Sequence, residues 1–99
     1  MPAQVVEFLS FEVAPSDRSA WLEADSRVWT SFLREQRGFV SKQVWLDRVD
    51  AGTIHTAIVW SDEAAWKAIP QAELDRVDAE MGEWRRPLTE RVFDVLDAT

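Results

Sequence analysis

The chain has 99 residues, 46% of them hydrophobic, with six Trp, five Phe, no Tyr and a formal net charge of -7. Such an acidic balance lacks the clustered Lys and Arg that nucleic acid requires, and it is equally unsuited to an anionic membrane surface. The absence of cysteine excludes disulfides, thiol catalysis and Cys-ligated metals. The start, Met1-Pro2-Ala3-Gln4-Val5-Val6-Glu7, has no positively charged leader, and no stretch approaches the ~20 apolar residues of a membrane span. A single domain over residues 1–99 in a cytoplasmic protein is therefore expected.

The first strand runs from about Gln4 to Ala14. Val5, Leu9, Phe11 and Val13 share one face with a single charged intruder, Glu7, while Val6 and Phe8 share the other. Pro15 stops the strand, and Ser16-Asp17 reads as a helix cap with first-turn negative charge. A helix follows over roughly Asp17 to Gln36. Trp21, Leu22, Val28, Trp29, Phe32 and Leu33 fall on one stripe, with Asp25 in its middle, and Gly38 supplies the stop.

Phe39 to Leu46 and Ile54 to Trp60 form a hairpin around the Asp- and Gly-containing loop Asp47 to Thr53. With Leu46 opposite Ile54, one face collects Val40, Lys42, Val44, Leu46, Ile54, Thr56, Ile58 and Trp60. The other collects Phe39, Ser41, Gln43, Trp45, His55, Ala57 and Val59. The first set is the more apolar and is expected under the helices. Ser61-Asp62-Glu63 caps a short helix through Ile69, Pro70 breaks it, and a second piece carries Leu74, Val77, Met81 and Trp84 to about Arg85. Pro87 precedes a last strand over Thr89 to Asp97, with Phe93 and Val95 on one face and Val92 and Leu96 on the other.

The order βαββαβ predicts an α+β, ferredoxin-like four-stranded antiparallel sheet with both helical segments on one face. The second face then shows Phe8, Phe39, Trp45, Ala57, Val59 and some of Val92 or Leu96. Such a patch exceeds what monomers usually expose, so a homodimer with its sheets face to face is expected, and His55 becomes a hydrogen-bonded interface residue.

Several short segments carry a resemblance over nearly the whole chain. They are Val6-Glu7-Phe8, Asp25, Val28-Trp29-Thr30, Gly38-Phe39, Lys42-Gln43-Val44-Trp45, Ile58-Val59-Trp60 and Ala65-Trp66-Lys67-Ala68-Ile69-Pro70. In these the chain resembles the dimeric α/β-barrel superfamily of antibiotic-biosynthesis-type monooxygenases, haem-degrading enzymes and stress-responsive barrel proteins. Within it, the chain is similar to a family of small uncharacterised bacterial proteins. The resemblance implies a dimeric α/β barrel with a ligand cleft between helices and sheet in each subunit. Haem-degrading members use an Asn in their first strand, a Trp and a His. This chain has no Asn, which counts against haem chemistry.

Three charged residues point into the implied cleft: Glu7, Asp25 and Lys42. As candidate catalytic groups they offer a carboxylate to take a proton from an acidic carbon or phenol, and an ammonium to hold the anionic oxygen. Trp21, Trp29, Trp60 and Trp66 are candidate walls for a small apolar or aromatic ligand. Such chemistry is cofactor-independent monooxygenation, so no cofactor is expected. With one His and no Cys, no metal site is expected either. The alternative is a non-catalytic ligand-binding or interaction dimer. There Lys42 pairs with Asp25 or Glu7 to fix the helix on the sheet, and the Trp rings simply fill a core. Glu73, Asp75, Asp78 and Glu80, with Arg76 among them, read as a solvated helix face. No phosphate loop, HExxH or GxSxG motif is present.

Overall fold

The computed structural model describes residues 3–99; Met1 and Pro2, part of the N-terminal segment read above, lie outside the described residues. Four strands form one antiparallel sheet: β1 (Val5–Glu12), β2 (Phe39–Leu46), β3 (Thr53–Trp60) and β4 (Leu88–Asp94), in the spatial order β2-β3-β1-β4. Between β1 and β2 the chain makes a 3-10 turn (Pro15–Asp17), α1 (Arg18–Asp25), one π-helical turn (Ser26–Thr30) and α2 (Ser31–Arg34). Between β3 and β4 it makes α3 (Glu63–Lys67), α4 (Gln71–Glu80) and a 3-10 turn (Gly82–Trp84). This is the ferredoxin-like α+β arrangement. No helix among the described residues is long and apolar enough to cross a membrane.

Both helical segments pack on the same side of the sheet. Trp21, Ala24 and Val28 meet Phe11, Val13 and Ile54, joined by Val77 and Met81 of the second segment. Leu33 meets Val5, Ile58 and Trp60, with Trp66 and Ile69 against them. Alternation along β1 explains this, since Val5, Leu9 and Phe11 stand on the face away from Val6 and Phe8. Leu46 does lie opposite Ile54, so the hairpin register follows the sequence pattern.

One irregularity in β2 rearranges two side chains. The register shifts between Phe39 and Ser41, where β2 carries an extra residue against β3. Such a bulge turns the preceding residues to the opposite faces. Phe39, expected on the open face, instead packs under the helices and meets the Trp60 ring edge-on at 6.1 Å. Val40, expected beneath the helices, is 47% exposed. Val44 and Leu46 keep their expected face, paired with Thr56 and Ile54, but stay exposed. Val92 pairs with Glu7 and therefore shares the helix side; Phe93, paired with Val6, is the aromatic residue β4 gives to the open face. Leu96 lies beyond β4, which ends at Asp94.

The connections differ in how their caps work. Asp62 Oδ1 accepts from Ala65 N at 2.7 Å and caps α3 as its sequence predicts. Asp17 makes no such bond to α1, because the chain enters through the 3-10 turn; its carboxylate faces Arg86 instead. Gly38 has φ +88°, and a Cβ there would collide with that of Ala65, so no other residue fits this stop. In the hairpin loop Asp47 Oδ1 accepts from the backbone of Val49 and Asp50, and Asp47 Oδ2 lies 2.8 Å from His55 Nε2. The His55 bond, then those two backbone bonds, pull the Asp47 carboxyl down to about 2.

The sheet's open face carries an aromatic cluster. The Phe8 ring stacks on His55 at 5.2 Å and touches Trp45 at 5.8 Å and Phe93 at 6.0 Å. Trp45 is 45% and Phe93 40% exposed. A carboxylate only accepts, so His55 Nε2 donates to Asp47 and Nδ1 accepts from Ser10 Oγ, 2.8 Å away, when the ring is neutral. Ser10 and Asp47 thereby hold the imidazole flat against Phe8.

Candidate functional site

A cavity of about 390 Å³ lies between the helices and the sheet. Glu7, Asp25, Lys42, Trp21, Trp29, Trp60 and Trp66 all line it, so the structure brings the candidate catalytic and ligand-wall residues to one space. Their local arrangements are nevertheless different.

Lys42 reaches from the edge strand β2 into the helix layer. Its Nζ lies 2.7 Å from Asp25 Oδ2 and donates to Thr30 Oγ1 at 2.8 Å. Both charged side chains are only 5% exposed. Taking two ions from water is expensive, and close hydrogen-bonded geometry is what offsets it. The helix makes that geometry with its π turn. In an α-helix, positions five apart point about 140° away from each other. The i to i+5 bonding of Ser26–Thr30 brings the fifth residue back over the first. Asp25 and Thr30 thus face the same ammonium, and Ser31 Oγ donates to the Ser26 carbonyl across the turn at 3.3 Å. The sequence pattern predicts one unbroken helix here, because nothing in apolar periodicity marks a widened turn. Thr30 is a site residue that the pattern misses.

Glu7 stands on the same rung of the sheet, with Ile58 between it and Lys42. Two strand spacings put the two backbones about 10 Å apart, so Glu7 is not part of the ion pair. Its Oε1 accepts from Trp60 Nε1 at 3.2 Å. Burial pushes its carboxyl above the ordinary glutamate value; Glu90, across on β4, pushes the same way, while the Trp60 bond and then Lys67 and Lys42 oppose the shift. Glu90 also lines the cavity, and its role is legible only once β4 is registered against β1.

The four tryptophans divide by burial. Trp21 and Trp60 are closed from solvent at 1% and 0% exposure and belong to the core. Trp29 and Trp66 are half-buried at the cavity wall, Trp29 edge-on to Phe32 at 6.1 Å and Trp66 under Lys67 Nζ at 4.0 Å. Trp84 completes the aromatic lining. Among the described residues no three potential metal-ligating side chains come together. The acidic face of α4 is held by exposed pairs, Arg76 with Glu80 and Arg85 with Asp78.

No family model matches the chain, and no curated protein matches it. Solved structures do resemble it. A monooxygenase, ActVA-Orf6 of Streptomyces coelicolor in complex with nanaomycin D, superposes with a TM-score of 0.80 at 16% identity, over 98% of this chain and 91% of that one. The cofactor-independent oxygenase SnoaB of Streptomyces nogalater gives 0.73 at 18% identity, over 97% and 96%. An antibiotic-biosynthesis monooxygenase-like protein of Caulobacter crescentus gives 0.75 at 11% identity, over 97% and 92%. Likeness at these identities establishes the fold: this chain is built as antibiotic-biosynthesis-monooxygenase-like proteins are. Its chemistry has to be argued from its own residues.

Two outcomes follow from the buried charges. Lys42→Met leaves Asp25 buried without its partner and should destabilise the chain by about 3–5 kcal/mol, whereas Asp25→Leu with Lys42→Met should recover most of that loss; urea unfolding of the two variants checks it. Glu7 gives a pH signature. Between the ordinary glutamate value of 4.5 and its raised value, the folded chain holds a proton that the unfolded chain has lost. Stability from this group therefore falls as pH rises through that window. Glu7→Gln, which keeps an acceptor for Trp60, should melt above the wild type at pH 8, with the gap closing by pH 4.

Proposed function

We propose that this protein is a homodimer whose cleft, in each subunit, takes up a small, largely apolar or aromatic molecule. The observation that carries this reading is the cavity itself. At about 390 Å³ it falls within the usual size of small-molecule sites, which are apolar-walled with a few convergent polar groups. Here tryptophans make the walls, and Glu7 and the Lys42–Asp25–Thr30 group are the polar points.

The chemical extension of this reading is cofactor-independent monooxygenation. A Glu7 carboxylate is made more basic by its burial, which suits it to take a proton from a phenol or an acidic carbon. Lys42 uses two N–H groups on Asp25 and Thr30, and an ammonium has a third to give to an anionic oxygen. That SnoaB is a cofactor-independent oxygenase and ActVA-Orf6 a monooxygenase supports the extension through shared fold. One observation favours a second reading, a non-catalytic ligand-binding or interaction dimer with a structural polar core. Asp25 and Lys42 are each other's close partners, and they fasten the helix to the edge strand whether or not a ligand is present.

A titration with 1,4-naphthoquinone tests the cleft. Saturable quenching of tryptophan fluorescence is expected in the wild type and should disappear in Leu9→Trp, which fills the cavity while its circular dichroism stays native. Dioxygen uptake with 1-naphthol, lost in Glu7→Gln, separates the enzyme from the binding protein.

The homodimer is supported by the aromatic cluster of half-buried Phe8 with exposed Trp45 and Phe93 on the face that the helices do not cover. A symmetric sheet-to-sheet contact of at least ~1,200 Å² would dry it. Sedimentation at micromolar concentration should give a dimer for the wild type and a folded monomer for Phe93→Glu; a monomeric wild type would refute this assembly.

A further inference from the structure

The two halves of α4 are held very differently. The helix gives Gln71, Leu74, Asp75 and Asp78 to the cavity lining. Its second half is anchored. Val77 is buried, as is Met81 just beyond the helix, and both belong to the core cluster of Trp21, Ala24 and Val28. Asp78 adds an ion pair with Arg85 at 2.8 Å. The first half, residues 71–76, buries no side chain, and only Leu74 is half-buried. Three of the four lining residues belong to this loosely held half. The chain is anchored again just before it, where Trp66 and Ile69 pack against the cluster of Leu33 and Trp60. Residues 71–76 thus bridge two fastened points.

The backbone of this stretch is also weakly held. Among the described residues no helical bond crosses Pro70: α3 ends with Ile69 N donating to the Trp66 carbonyl, and α4 begins with Glu73 N and Leu74 N donating to the Pro70 carbonyl. Asp62 caps α3, but no side chain caps α4, so its first turn lacks the bond that a cap supplies. Few buried apolar contacts and exposed helical bonds mark the segments that open most easily. The place of this one gives it a use. The exposed lining residues are Gln71 and Asp75 of α4, Arg85 beyond it, and Leu88 and Glu90 of β4. The cavity therefore meets solvent between the first half of α4 and β4. A ring entering there meets Leu74, the one apolar side chain that residues 71–76 give to the lining. We infer that residues 71–76 are a strap at the mouth of the cleft, opening and re-forming in the free protein and ordering when a ring compound fills the cavity and packs against Leu74.

This inference rests on the cleft being a ligand site, and tryptophan quenching by 1,4-naphthoquinone reports on the cleft separately from the strap. Amide hydrogen exchange, read residue by residue and corrected for intrinsic rates, reports on the strap. In the free protein the amides of residues 73–76 should exchange about tenfold or more faster than those of residues 77–80. Naphthoquinone at about ten times its Kd should slow residues 73–76 about tenfold, because the open strap does not hold the ring, and should slow residues 77–80 far less. Pro70→Asp places a capping carboxylate at the start of α4 and orders the strap in advance. It should bind naphthoquinone roughly threefold to fivefold more tightly, the worth of one cap, with slower exchange at residues 73–76 before any ligand is added. If Pro70→Asp does not fold, the wild-type exchange decides. Equal protection of the two halves in the free protein overturns the strap and leaves the ligand cleft standing. So does exchange at residues 73–76 that bound naphthoquinone does not move, or unchanged affinity in folded Pro70→Asp. Absence of quenching in the wild type overturns the cleft reading and the strap with it.

Discussion

A single buried ammonium ties the helix layer to the sheet. Lys42 sits on the edge strand, and the oxygens that hold it, from Asp25 and Thr30, sit on the first helical segment. An ion pair this deep is tolerable only when its geometry is close to ideal, since desolvation of both charges competes with their attraction. That requirement propagates outward. It fixes how far the helix stands from β2, and it accounts for the widened turn at Ser26–Thr30 that brings two residues five apart over one nitrogen. It also leaves the polar end of the cavity beside a pair of opposite charges.

The bulge in β2 serves the same arrangement from the sheet side. Strict alternation would place Phe39 and Lys42 on opposite faces. The extra residue before Ser41 puts both under the helices, Lys42 for Asp25 and Phe39 for the Trp60 ring. Val40 is the residue displaced, and it emerges into solvent. Bulges concentrate at sheet edges and near functional sites, where they re-aim side chains without breaking the strand. Here a bulge at an edge strand lets one short strand supply the cavity, the core and the open face in turn.

The cavity is assembled from residues that individually look like core. Trp60 shows the duality well: its ring is fully enclosed, yet its N–H holds the Glu7 carboxylate at the cavity floor. A carboxylate in such a place gains basicity from the loss of water and gives some back to the hydrogen bond it accepts. The opposite face of the same strands carries Phe8 stacked on His55. One sheet therefore presents a polar-floored cleft to the helices and an aromatic surface away from them.

Periodicity by itself was enough to place the strands, the hairpin register, the break at Pro70 and the helix-facing side of β1, because each depends on burial patterns that repeat along the chain. It also pointed Glu7, Asp25 and Lys42 to the helix side of the sheet, since a charge amid an apolar stripe stands out without coordinates; that a cleft lies there was implied by the resemblance. Residues that act by their spacing to a distant partner left no such mark. The π turn, the bulge at Phe39, the capture of Lys42 by Thr30 and the proximity of Glu90 all arise where separate segments meet in three dimensions. A local pattern records which way a side chain points. Whether it finds a partner there is decided by the segments that fold over it, and only the tertiary structure contains them.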